Sequence, residues 1–212
     1  MSIIVDFVTV GPFKENSFIL WEEETSVAIL IDPGDEPEVI ISKIEFLKVT
    51  PLAILNSHAH LDHIGAVSKI KNEYSIPFYL HKKENKILEH YPEMCSMFGI
   101  TSYDTPIVDH WITGDGEIKF NSFNIQYFET PGHTPGGTSY IINDMCFCGD
   151  TLFSGSIGRT DLPGGDYSTL IRSIKKMKLK LSPNWPIFPG HGPSTTMGEE
   201  LIHNPFLTSL KD

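Results

Sequence analysis

Long apolar runs are missing from this sequence, and no window approaches the roughly 18 hydrophobic residues that a membrane-spanning helix needs. The opening "MSIIVDFVTV" has neither a basic leader nor a small-residue cleavage site, so the expected protein is soluble and cytoplasmic. Basic side chains are also scarce: sixteen Lys and Arg stand against twenty-seven Asp and Glu, a formal charge of −11. Such a surface repels phosphate backbones and anionic lipids, which argues against nucleic-acid and membrane partners. The one local exception, "KKMKLK" at 175–180, reads as the end of a helix, where lysines suit the negative terminus. Cysteine is down to three, Cys95, Cys146 and Cys148. Cys146 and Cys148 lie two apart on one face of a strand-like segment, where no local disulfide forms, so all three read as buried thiols.

What is present is enough for one sizeable core. At 212 residues with 40% hydrophobic content, the chain fits a single domain, 1–212, or two fused halves. "IIVDFVTV", "NSFILW" and "SVAILID" read as a β-meander. A helix follows "DPGD", with Pro37 in its first turn and Ile40, Ile44 and Leu47 on one face. Strand "LAIL" then leads to His58, and a second helix near Ile64 turns Val67, Ile70 and Tyr74 inward before strand "IPFYL". The second half repeats the theme with "EIKF", "FNIQYF", "TSYII" and "MCFC". A helix capped by Asp166, with Leu170, Ile174 and Met177 buried, comes next, then strand "PIF" and a short helix around "GEELIH". Interleaved strands and helices in both halves indicate an α/β or mixed sandwich with helices outside.

The stretch "NSHAHLDHIG" gathers three histidines and an aspartate into six residues directly after an apolar strand. His58 and His60 point the same way at a strand end and can chelate one cation, whereas Asp62 and His63 follow the turn and can face a second. With nine histidines in the chain, chance yields this pattern roughly 0.001 times per such sequence. Imidazole and carboxylate donors suit zinc, iron or manganese. Further ligands are required, and "YFETPGH", "MCFCGD" and "PIFPGH" each end a short strand in a tight turn, presenting His133, Asp150 and His191.

The ordered motifs "HAHLDH", "TPGHTPGG", "GDTLF" and "PGHGP", with "IDPGD" before and "HNPFL" after them, resemble the metallo-β-lactamase fold superfamily, and within it the glyoxalase II-like hydrolases. The resemblance implies a four-layer αββα sandwich. It implies one metal held by His58, His60 and His133, another by Asp62, His63 and His191, and Asp150 bridging two divalent ions, zinc foremost, with iron or manganese as alternatives. It also implies hydrolysis of a small-molecule thioester through a metal-activated hydroxide, with Asp62 orienting the nucleophile or taking its proton. Only about twenty residues follow His191, so the expected relative is the compact subgroup without the helical C-terminal domain that grips glutathione. The alternative implied by resemblance is a persulfide dioxygenase with one iron on His58, His133 and Asp150, and a non-catalytic metal-binding protein is a third.

Supporting residues are read more plainly. Asp32 is poised between shaping its turn and hydrogen-bonding the histidine loop. Arg159, in "SIGRTDLPGGD", either binds an anionic substrate group or pairs with Asp161 or Asp166. His81, His90, His110 and His203 have no ligand-like spacing and are expected on the surface or in helices. Glu93 to Trp111 breaks the regular pattern, and a packed connector is preferred to a lid there.

Overall fold

Alternating apolar residues drive the chain's start into an antiparallel meander of β1 (Ile3–Val10), β2 (Glu15–Glu22) and β3 (Val27–Ile31). The computed structural model describes residues 2–120 and 123–207 and divides into two compact units, 1–112 and 113–212. In the first unit, α1 (Pro37–Leu47) begins with Pro37, ends on left-handed Lys48 and buries Ile40 and Ile44. That helix is the crossover that lets β4 (Thr50–Leu55) lie parallel to β3. The next crossover is broken in two, α2 (Leu61–Ile64) and α3 (Val67–Tyr74), and leads to β5 (Phe78–His81) beside β4. A 3-10 turn (Lys82–Glu84), α4 (Asn85–Glu89) and α5 (Tyr91–Phe98) precede β6 (His110–Ile112), parallel to β5.

The result is a six-stranded sheet ordered β1-β2-β3-β4-β5-β6. Ile19, Leu30, Ile54, Phe78 and Leu80 form its core with Ile40, Ile44, Val67 and Ile70 of the helices. The segment expected to be irregular from Glu93 starts inside a helix, with Tyr91 and Cys95 buried one turn apart and Ile100 and Val108 packed on the same core.

The second unit builds its own sheet. β7 (Gly116–Phe120), β8 (Phe123–Glu129), β9 (Thr138–Ile142) and β10 (Met145–Gly149) run antiparallel in sequence. A small hairpin, β11 (Leu152–Phe153) with β12 (Ser156–Ile157), leads to α6 (Tyr167–Lys180). Asp166 caps α6 by accepting the Thr169 N–H at 2.7 Å. Leu170, Ile174 and Met177 face inward. Lys176 and Lys180 at the far end hold Asp115 at 2.6 and 3.2 Å while lying over the Phe128 ring, so the basic cluster braces its own unit. The α6 crossover sets β13 (Pro186–Pro189) parallel to β10, then β14 (Thr195–Thr196) and α7 (Met197–His203) complete the unit. This sheet is ordered β14-β13-β10-β9-β8-β7. Cys95, Cys146 and Cys148 are all buried free thiols. No helix among the described residues is long and apolar enough to cross a membrane.

Candidate metal centre

In the first unit the chemistry collects at the C-terminal ends of neighbouring parallel strands, where crossover loops emerge side by side. β3 is followed by Asp32, and β4 by the run Asn56 to His60. Asp32 sits in the left-handed region (φ 49°), a conformation that Asp tolerates and that aims its carboxylate at the neighbouring loop. Its Oδ1 accepts the Ser57 N–H at 2.6 Å and its Oδ2 accepts the Ser57 hydroxyl at 2.6 Å. The same Oδ2 lies 3.0 Å from His63 Nδ1.

These contacts settle where the imidazole protons are. Ser57 has one hydroxyl hydrogen and gives it to Asp32, so its oxygen accepts from His58 Nδ1, 3.0 Å away. His63 Nδ1 likewise must donate to the carboxylate. Both rings therefore keep their Nε2 lone pairs for a cation, one carboxylate setting two tautomers. His58 Nε2 and His60 Nδ1 converge to 3.1 Å, and the His58 and His63 ring centroids are 4.1 Å apart.

His60 is the N-cap residue of α2, which carries Asp62 and His63 around the turn. Asp62 is half-buried, its Oδ2 4.0 Å from His63 Nε2, while His63 is wholly buried. Asn56 Nδ2 donates to the His63 carbonyl at 2.6 Å and tethers the turn. Gly34 is required here, because a Cβ would come 1.9 Å from the Asp62 carbonyl oxygen. Behind the loop, burial pushes the Glu15 carboxyl well above the usual carboxylate range, against the pull of His63.

The second unit repeats the device. β8 and β10 flank β9 antiparallel to it, and β13 is parallel to β10, so β8, β10 and β13 all end on the same side. Those ends present His133, Asp150 and His191. His133 Nε2 and His191 Nε2 lie 3.5 and 3.6 Å from the same oxygen, Asp150 Oδ2. His133 Nδ1 is 2.8 Å from the Arg159 carbonyl, which can only accept, so its Nε2 is again the lone-pair nitrogen. Two glycines allow the close approach: Gly132 has φ 131° with Leu170 against it, and a Cβ on Gly158 would come 1.8 Å from the Asp150 carbonyl oxygen.

The structure therefore gathers His58, His60, Asp62 and His63 at one strand-end cluster and His133, Asp150 and His191 at another. Arg159 meets the second cluster through its main-chain carbonyl. Its guanidinium is exposed and forms a two-pronged pair with Asp161, Nε to Oδ1 at 2.8 Å and Nη2 to Oδ2 at 2.7 Å. That partner holds the Asp161 carboxyl down at about 2. Asp166, the other partner considered, is occupied in capping α6. His90, His110 and His203 are exposed as expected, but His81 is buried at the end of β5, its Nδ1 accepting the Lys83 N–H at 3.2 Å. Sequence reasoning missed Ser57 and the Arg159 carbonyl, for which no residue pattern speaks.

The donor set fits divalent cations. His58, His63 and His133 each have one ring nitrogen committed to an oxygen, and carboxylates complete a mixed N/O environment suited to zinc, iron or manganese.

A sequence model of the metallo-beta-lactamase superfamily matches residues 10–191. The chain belongs to this superfamily. It is 40% identical over 209 residues to the hydroxyacylglutathione hydrolase GloC of Haemophilus influenzae, an alignment covering 97% of this chain and 98% of that one. Among solved structures, BLEG-1 B3 metallo-beta-lactamase is 40% identical with a TM-score of 0.89, covering 97% of this chain and all (100%) of that one. TTHA1623 in a di-iron-bound form is 38% identical with a TM-score of 0.86, covering 95% of this chain and 100% of that one. The fold is accordingly the α/β metallo-β-lactamase fold.

Proposed function

We propose that this protein is a dinuclear metal-dependent hydrolase of a thioester, glyoxalase II-like in its reaction, acting on S-D-lactoylglutathione or a related acyl thioester. The observation that carries the reading is the end-to-end similarity to a hydroxyacylglutathione hydrolase, 97% of this chain against 98% of that one, in a chain whose His58, His63 and His133 each keep an Nε2 lone pair for a cation. His58, His60 and His133 would hold one ion and Asp62, His63 and His191 the other, with Asp150 serving both. When bound, the pair of ions supplies a water of lowered pKa and a positive field for the developing oxyanion.

The chain's own residues do the rest. Asp62, half-buried beside His63, orients the attacking water and takes its proton as the oxygen bonds to the acyl carbon. The carbon–sulfur bond then breaks and the thiolate leaves, needing no strong general acid. The exposed guanidinium of Arg159, paired with Asp161, is the proposed contact for an anionic group of the substrate. The −11 charge disfavours nucleic acid as a substrate.

The test is metal content after purification, together with activity on a short panel of thioesters. About two ions per chain and thioester cleavage support the reading, and saturation at one ion removes the dinuclear centre. The 40% identity to BLEG-1 supports a second reading, β-lactam opening at the same centre, which a β-lactam added to the panel tests.

A further inference from the structure

The third parallel strand of the first sheet ends beside the histidine loop as well. β5 stops at His81, and the chain turns at once through Lys82–Glu84, a turn stiffened by the His81 Nδ1 contact with the Lys83 N–H. This sends Glu84 inward, where its side chain is wholly buried. Its Oε2 accepts the N–H of Ala59 at 2.9 Å, a contact across 25 residues of chain. Ala59 is the residue between His58 and His60, so holding its N–H anchors the backbone from which both imidazoles project. Burying a carboxylate outright is costly unless its hydrogen bonds are made, and one of them here goes to the backbone of the chelating loop.

We infer that Glu84 is a positioning residue of the metal centre, clamping the Ala59 peptide so that His58 and His60 converge on one cation. The inference rests on the reading proposed above. It assigns Glu84 no contact with substrate or metal, only the geometry of the two residues that make it. It also singles out one of the two ions, because His63 lies beyond the clamp and is held by Asp32 and Asn56 instead.

The experiment compares Glu84→Gln, which keeps an oxygen acceptor, with Glu84→Met, which keeps the volume and removes the acceptor. Zinc binding is followed by competition with a chromophoric chelator, and the visible spectrum of the cobalt-substituted proteins reports ligand geometry. Circular dichroism and melting of the metal-free proteins establish folding. We expect wild type to bind two equivalents and Glu84→Gln to match it. Glu84→Met should lose roughly 10- to 100-fold in affinity for one equivalent alone, with an altered cobalt spectrum. If Glu84→Met does not fold, Glu84→Asp, which withdraws the acceptor by one methylene, should weaken the same equivalent. Folded Glu84→Met or Glu84→Asp with both equivalents unchanged overturns the clamp and leaves the metal centre standing. Equal damage in Glu84→Gln and Glu84→Met overturns it too, since charge rather than the hydrogen bond would then matter. Wild type that holds no metal overturns the centre and the clamp together.

Discussion

Replacing Asp32 separates a structural carboxylate from one that sets histidine tautomers. The side chain is buried, at 2% exposure, and accepts from Ser57 N, Ser57 Oγ and His63 Nδ1 at 2.6, 2.6 and 3.0 Å. In Asp32→Ala all three donors lose their acceptor. Charge-assisted bonds contribute about 1.5–3 kcal/mol each and a stranded buried donor costs about 1–3, and because the three are coupled the expected loss is about 3–5 kcal/mol. For a chain of this size that lowers the melting temperature of the metal-free protein by roughly 6–20 °C.

Asp32→Asn is the sharper probe, since Asn accepts the left-handed backbone that Asp32 occupies (φ 49°). With its oxygen at the Oδ1 position, the amide donates toward His63 Nδ1 and forces the proton to Nε2, removing the lone pair that binds metal. With its oxygen at Oδ2, the amide faces the Ser57 N–H, donor against donor. Either way zinc affinity should fall roughly 10- to 100-fold while the protein stays folded. Chelator competition and NMR of the His63 ring nitrogens measure both effects. Zinc affinity within twofold of wild type in Asp32→Asn, with the His63 proton still on Nδ1, would refute the tautomer argument.

The other perturbations divide by cluster. Asp150→Ala should weaken both equivalents together, because both His133 and His191 lean on that carboxylate, whereas His191→Ala should mainly remove one; calorimetric zinc titration distinguishes them. Arg159→Ala should leave melting nearly unchanged, as expected for an exposed pair. The Asp161 carboxyl should rise in that variant from about 2 toward its ordinary 3.8, followed by NMR titration. If the guanidinium binds substrate, KM should rise for a charged thioester more than for a neutral ester.

The parts of the fold carried by long periodic stripes were legible in the sequence. α6 shows its cap at Asp166 and its stripe at Leu170, Ile174 and Met177, and α1 shows Pro37 and then Ile40 and Ile44, as the structure has them. α5 was not legible: only Tyr91 and Cys95 are buried along its eight residues, too few to establish a period, and Met97 and Phe98 are exposed. His81 was expected on the surface or in a helix and instead ends β5, because a capping role inside a buried turn leaves no spacing signature. At the candidate centre the side chains gathered at the strand ends were readable from their motifs. The groups that orient them were not, since a main-chain carbonyl such as that of Arg159 has no sequence identity, and Glu84 meets Ala59 only through the parallel pairing of β5 with β4.

The central claim, hydrolysis rather than oxygen chemistry, is tested most directly by anaerobic turnover of S-D-lactoylglutathione with zinc-loaded protein. Zinc has no redox chemistry and the reaction needs only water. The account predicts free thiol released at a steady rate without oxygen, lost when Asp150 is replaced by Ala. Background thioester cleavage, alongside rapid oxygen consumption by the one-iron protein given glutathione persulfide, would contradict it and assign the centre to a dioxygenase.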